Sequence, residues 1–253
     1  MTNLLWLFVI IAFVSLIVVS AANERQSRAR IVARKLEQMK RKLSEMEELV
    51  LTVDTLVESP TIARILNDEV VDVIRSMVKL DPNSQAIRVT LEASEDRAES
   101  LRAPNRKRDV YRLRESDARV ARARYLLNEA GRILRHRQAK GKIEVSELET
   151  YIRDLSWANM MVAVVSQVAQ GHKSVSRGDV LKAFAFYKKA QQIAVQTSIG
   201  EDRRHNLIKE LTDLMNGRIK VLSPQFMPEN QFNPSPSSKP AASDTTAPAS
   251  EPL

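Results

Sequence analysis

VARKLEQMKRKLSEMEELVLTVDTLV, residues 32–57, sets the architecture. Val32, Leu36, Met39, Leu43, Met46, Val50, Val53 and Val57 follow one another at alternating steps of four and three. That is a 3.5-residue apolar repeat, the seam of a left-handed coiled coil. Leu36, Leu43, Val50 and Val57 fall at the a positions, and Val32, Met39, Met46 and Val53 at d. Leu49 and Leu56 flank the seam and widen the apolar face toward its C-terminal half. Two uses follow: a stalk that pairs with a second copy of the chain, or one arm of an intramolecular helical hairpin, which the widening suits.

Upstream lies LLWLFVIIAFVSLIVVSAA, Leu4 to Ala22, with no charged residue. As a helix it would reach about 28 Å, enough to cross a hydrocarbon core. The leader MTN carries no Lys or Arg, and the apolar run exceeds a signal peptide's, so an uncleaved anchor is expected. Arg25, Arg28, Arg30, Arg34 and Lys35 follow it and none precedes it. The positive-inside rule then places residues 1–3 outside and the body in the cytoplasm, making a single-pass protein of the plasma (inner) membrane.

Downstream, Ser59-Pro60 starts a second helix, with Ser at the N-cap and Pro at the first helical position. Its apolar stripe (Ile62, Leu66, Val70, Val73, Met77, Leu80) ends at Asp81-Pro82. Residues 23–80 are thus a coiled-coil-like hairpin. An acidic helix and linker occupy 81–106, with a helix from about 83 to 102. The sequence predicts further helices from about Arg108 to Ala139, from Ser146 to Ser176 (Ser146 and Glu149 spaced as a capping box) and from Glu201 to about Lys220. Together they make a bundle over 107–222. Pro, Ser, Ala and Thr dominate residues 223–253, the composition of a disordered tail. The whole reads as an all-α, antiparallel helical protein.

Between Val164 and Val195 the spacing resembles a single tetratricopeptide repeat. Gly171 and Ala183 stand at the two small positions, twelve apart. Gly178-Asp179 fall at the tight turn, and Tyr187 and Ala190 match the aromatic and small positions that follow. Gln167, Gln170 and Ser174 depart from the pattern, and Val195 stands in place of its usual proline. The resemblance implies a concave helical surface for protein partners. An ordinary antiparallel bundle produces the same spacing.

Charge is distributed in blocks. The chain is +8 overall, with an acidic stretch over 45–100 and a basic one over 101–142. On a helical wheel Arg108, Arg112, Arg119 and Arg122 group together, with Arg137 on the same side. Such a strip suits a phosphate backbone or anionic lipid heads. The acidic block could also pair with it inside the chain.

The chain has no cysteine, so disulfides, thiolate catalysis and Cys-ligated metals are excluded. His136, His172 and His205 lie far apart and lack metal-site spacing, and no phosphate-loop or dinucleotide fingerprint occurs. No cofactor and no enzymatic activity are expected. The sequence reads as a membrane-anchored helical scaffold for protein–protein interaction, with a nucleic-acid or anionic-lipid binder through 106–142 as the alternative.

Overall fold

The computed structural model describes residues 2–103, 106, 108–198 and 201–228, with the side chains of Arg25, Glu201 and all of residues 2–22 except Leu16 outside that description. The described residues form seven α-helices and no strand. These are α1 (Thr2–Leu56), α2 (Pro60–Leu80), α3 (Gln85–Arg102), α4 (Asp117–Ala139), α5 (Val145–Ser176), α6 (Val180–Gln196) and α7 (Glu201–Met215).

The transmembrane reading of Leu4–Ala22 is corrected. Among the described residues no helix is long and apolar enough to cross a membrane. The stretch does not end as an element of its own at Ala22: it belongs to one 55-residue helix that continues to Leu56. From Asn23 to Lys42 that helix carries Arg25, Arg28, Arg30, Arg34, Lys35, Lys40, Arg41 and Lys42 against Glu24 and Glu37. Side chains that charged do not enter hydrocarbon. Apart from Leu16, the side chains of Leu4–Ala22 lie outside the described residues. The single-pass membrane assignment, with its outside N-terminus, cytoplasmic body and plasma-membrane localisation, falls with that span.

The chain divides into two compact units. One comprises residues 1–109 and 126–151, the other residues 110–125 and 152–253, so α4 and α5 each contribute to both. In the first unit α2 packs back on α1, and α3 on α2. The heptad seam shows how. Val32, Leu36 and Met39 stay half-buried, whereas Leu43, Met46, Val50, Val53 and Val57 are buried, with Leu49 and Leu56 beside them. Burial thus begins at Leu43, shortly before the apolar face widens at Leu49. Ile62, Leu66, Val70, Ile74 and Met77 of α2 complete that interior, with Ile87, Ala98 and Leu101 of α3 and Leu127, Ala130 and Leu134 of α4.

The second unit is built on α5, whose stretch from Trp157 to Ala169 is almost wholly buried. Around it gather Leu113, the inner residues of α6 and α7, and Leu222, Phe226 and Met227. These last two sit within the range read as tail. The reason is a turn at Ser223, whose carbonyl accepts the N–H groups of Phe226 and Met227 at 3.0 Å each and folds both side chains inward. The rest of the expected tail, from residue 229, lies outside the described residues.

Three helix starts differ locally from expectation. α4 begins at Asp117, not Arg108. Ser59 precedes α2 with extended backbone but makes no side-chain cap hydrogen bond. At α5 the carboxylate of Glu147 accepts the N–H of Glu144 at 3.1 Å, so the cap lies two residues before the expected Ser146–Glu149 box.

Candidate functional site

The α5–α6 hairpin is assembled from short-range chemistry. At the end of α5 the N–H of Asp179 donates to the Ser174 carbonyl at 3.0 Å, and that of Gly178 to the Val175 carbonyl at 2.9 Å. This paired closure needs a left-handed residue at its centre, and Gly178 supplies it with φ of +79°. Asp179 then opens α6, its carboxylate accepting the Lys182 N–H at 3.0 Å.

Across the hairpin, the bare Cα of Gly171 lies against the Tyr187 ring. A Cβ there would stand 2.2 Å from Cε1, 2.6 Å from Cδ1 and 2.8 Å from Cζ. The ring is fixed from its other end: the phenol oxygen and His172 Nδ1 are 2.9 Å apart, and the two rings meet edge-on at 5.6 Å. Burial pushes the Tyr187 hydroxyl up to about 12, because the phenolate would be stranded in apolar surroundings. Ala183, Tyr187, Ala190 and Ala194 form the inner face of α6. Gly171, Ala183, Tyr187 and Ala190 thus meet at one helix–helix contact, with Gly178 and Asp179 at its turn. The first four are buried packing residues, whereas Gly178 and Asp179 are exposed at the turn.

The exposed side of the same helix is the feature that sequence reading missed. Val180, Leu181 and Phe184 project into solvent, 67%, 87% and 44% exposed, and Val195 continues the row at the other end. Val175 is also exposed just before the turn. Isolated exposed apolar residues need no explanation, but a row of them on one helix does. The available signal was the composition of α6: VLKAFAFYKKAQQIAVQ is apolar on two faces, and only one can be inner.

The arginines of the basic block are scattered in environment. In the first unit, Arg108 closes the C-terminal end of α1. Its guanidinium donates to the carbonyls of Asp54 (2.5 Å), Val57 (2.9 Å) and Glu58 (3.0 Å), while Nε lies 3.1 Å from the Asp54 carboxylate. The Asp54 carbonyl is one that the last turn of α1 leaves without a helical partner, Val57 and Glu58 follow just past the helix end, and a cation there also opposes the helix dipole. Arg106 grips the same Asp54 through two bonds, at 2.6 and 3.0 Å. Arg137 is buried, 2.8 Å from Glu69 and 3.7 Å from Asp72. The hydrogen bond from Lys142 at 2.7 Å holds the Asp72 carboxyl below the usual range; burial opposes this, and the positive charges of Lys142, Arg137 and Arg75 reinforce it. In the second unit, Arg112 is buried, Arg119 is exposed beside Glu115 at 3.8 Å, and Arg122 lies over the Tyr125 ring at 5.4 Å. Arg108, Arg112 and Arg137 are therefore taken out of the surface strip.

A groove of about 540 Å³ in the second unit is lined by Arg114, Glu115, Ser116, Arg119, Gln170 and Lys173. Its charges are mixed, and Gln170 spans it to the Glu115 carbonyl at 3.2 Å. Among the described residues no group of three His, Asp or Glu could hold a metal ion. His136 and His205 are exposed and His172 is buried against Tyr187.

No protein-family model matches this chain, and neither a curated protein nor a solved structure matches it.

Proposed function

We propose that this chain is a helical scaffold that binds a protein partner through the outer face of α6. The observation that carries the reading is the exposed row Val180, Leu181, Phe184 on a helix whose other face is already fixed in a core. The inner face supplies rigidity. The Gly171–Tyr187 contact and the Asp179 cap hold α6 in one place, so a partner meets a preformed surface and does not have to order it. Large apolar side chains held rigidly in solvent are the composition of an interface centre.

The alternative of a nucleic-acid surface over 106–142 has less to stand on. Burial withdraws Arg112 and Arg137, Arg108 is engaged by the carbonyls of Asp54, Val57 and Glu58, and Arg119 has Glu115 beside it.

A photo-activatable residue introduced at position 181 of the full-length chain, expressed in its own cell, tests the reading. It should yield a discrete cross-linked protein, and Phe184→Asp on the same chain should abolish it. Cross-linking that is absent, or that Phe184→Asp leaves unchanged, removes the proposal. Phe184 is exposed, so the variant's helical signal should match the parent.

A further inference from the structure

We infer that the occupant of the α6 face is an acidic amphipathic helix of another protein. This rests on the reading of that face as a protein-docking surface, and adds the chemistry of what docks.

The first argument is spacing. Leu181, Phe184, Lys188, Gln191 and Val195 follow at steps of three, four, three and four. Gln191 is half-buried and bonded to Thr212 of α7, so the exposed members of the row are Leu181, Phe184, Lys188 and Val195, and their 3.5-residue register is the one along which a second helix lies. From 181 to 195 the row extends about 21 Å. A partner helix of about four turns covers it.

The second argument is charge. α6 contains Lys182, Lys188 and Lys189 and neither Asp nor Glu, and Arg177 stands in the turn before it. Asp179, the N-cap, is the one carboxylate beside them in sequence, and Arg177, Lys182, Lys188 and Lys189 outnumber it. Lys188 sits in the middle of the row, four residues beyond Phe184. A helix laid over the row removes water from that ammonium, which is costly unless a carboxylate replaces the water. An apolar or basic partner leaves the charge stranded, whereas an acidic one meets it.

The same midpoint argues against a lipid surface. A helix that lies in a bilayer interface presents a continuous apolar face. Here Lys188 and Gln191 interrupt it, and Gln191 donates to Thr212 Oγ1 at 2.8 Å.

The test is selection of random 16-residue peptides displayed on yeast against the full-length chain, with Leu181→Asp/Phe184→Asp as the counter-target. Expected peptides carry net negative charge with apolar residues at three-four spacing. Their binding should fall at least about tenfold on the double variant and about tenfold on Lys188→Glu. It should also weaken as salt rises. Face-dependent peptides that are neutral, basic or without helical spacing would overturn the acidic-helix inference and leave the docking face standing. Peptides indifferent to Leu181→Asp/Phe184→Asp would overturn both. Face-dependent binding to phosphatidylcholine–phosphatidylglycerol vesicles, with no face-dependent peptide, would assign the surface to lipid and also overturn the inference. Retained far-UV helicity of each variant separates loss of binding from loss of fold.

Discussion

Gly171→Ala should destabilise the second unit, against the intrinsic preference of a helix. Gly171 lies inside α5, where Ala is favoured over Gly by about 1 kcal/mol. The added methyl, however, would come within 2.2 Å of Tyr187 Cε1. Ordinary van der Waals contact begins near 3.4 Å, so ring or backbone must shift by about 1 Å. The ring has little freedom, being buried and held at its hydroxyl by His172 Nδ1 at 2.9 Å. Overpacking of that kind costs about 1–3 kcal/mol. Set against the propensity gain, the net expectation is a loss of up to about 2 kcal/mol.

The decisive measurement is the double-mutant cycle. Tyr187→Ala deletes the three ring atoms, and Gly171→Ala should then stabilise by about 1 kcal/mol. The sign should reverse, with a coupling of about 1–3 kcal/mol, the overpacking cost that leaves with the ring. Urea unfolding read by Trp157 fluorescence suits this, because Trp157 belongs to the same core cluster as Tyr187. Trp6→Phe removes the chain's other indole. If Tyr187→Ala leaves too little stability, Tyr187→Val closes the cycle with the ring equally absent. A Gly171→Ala variant stabilised in the parent background, or a coupling below about 0.5 kcal/mol, would refute the close contact.

Tyr187 also gives a pH dependence. Its folded-state pKa of about 12 lies above the ordinary value of 10, so its contribution is complete below pH 10 and lost as pH rises toward 12. The loss should approach about 2–3 kcal/mol, be followed by phenolate absorbance at 295 nm, and be absent in Tyr187→Phe. Arg137→Ala strands Glu69 at 13% exposure and should cost the first unit about 3 kcal/mol in chemical denaturation, whereas Arg137→Met/Glu69→Leu should cost much less. Gly178→Ala places a side chain at φ of +79° with no neighbour to clash with, so backbone strain alone should lower stability by about 1–2 kcal/mol, measured by the same urea titration.

The parts of the fold legible in the sequence are those governed by local rules. Ser59-Pro60 and Asp81-Pro82 bracket α2 because proline and the N-cap act over one turn, and Gly178-Asp179 mark the α5–α6 turn for the same reason. The heptad row located the part of α1 that becomes buried, since a widened apolar face must be covered. Two features were not legible. Phe226 and Met227 pack into the core across a distance in sequence that no periodicity reports. The outer row of α6 looked like ordinary helix composition, because exposure depends on which face the rest of the chain claims.

The basic block shows the same limit from the side of charge. A helical wheel treats Arg108 as a surface residue on a helix beginning there. In the structure α4 starts at Asp117, and Arg108 reaches back to the end of α1. Its five donors fit a helix terminus, which offers several carbonyls converging on one point, and Asp54 supplies the counter-charge. Arg204 repeats the device in the second unit, donating to the carbonyl of Thr197 at 2.8 Å just past the end of α6. Helices joined by short segments leave many carbonyl ends inside the molecule, and arginine satisfies them with a charge that also opposes the dipole. The charges of Arg108 and Arg204 are thereby structural. The lysines of α6 stand exposed beside bare apolar residues, away from any helix end they could close, and the docking proposal rests on that pairing of charge and apolar surface.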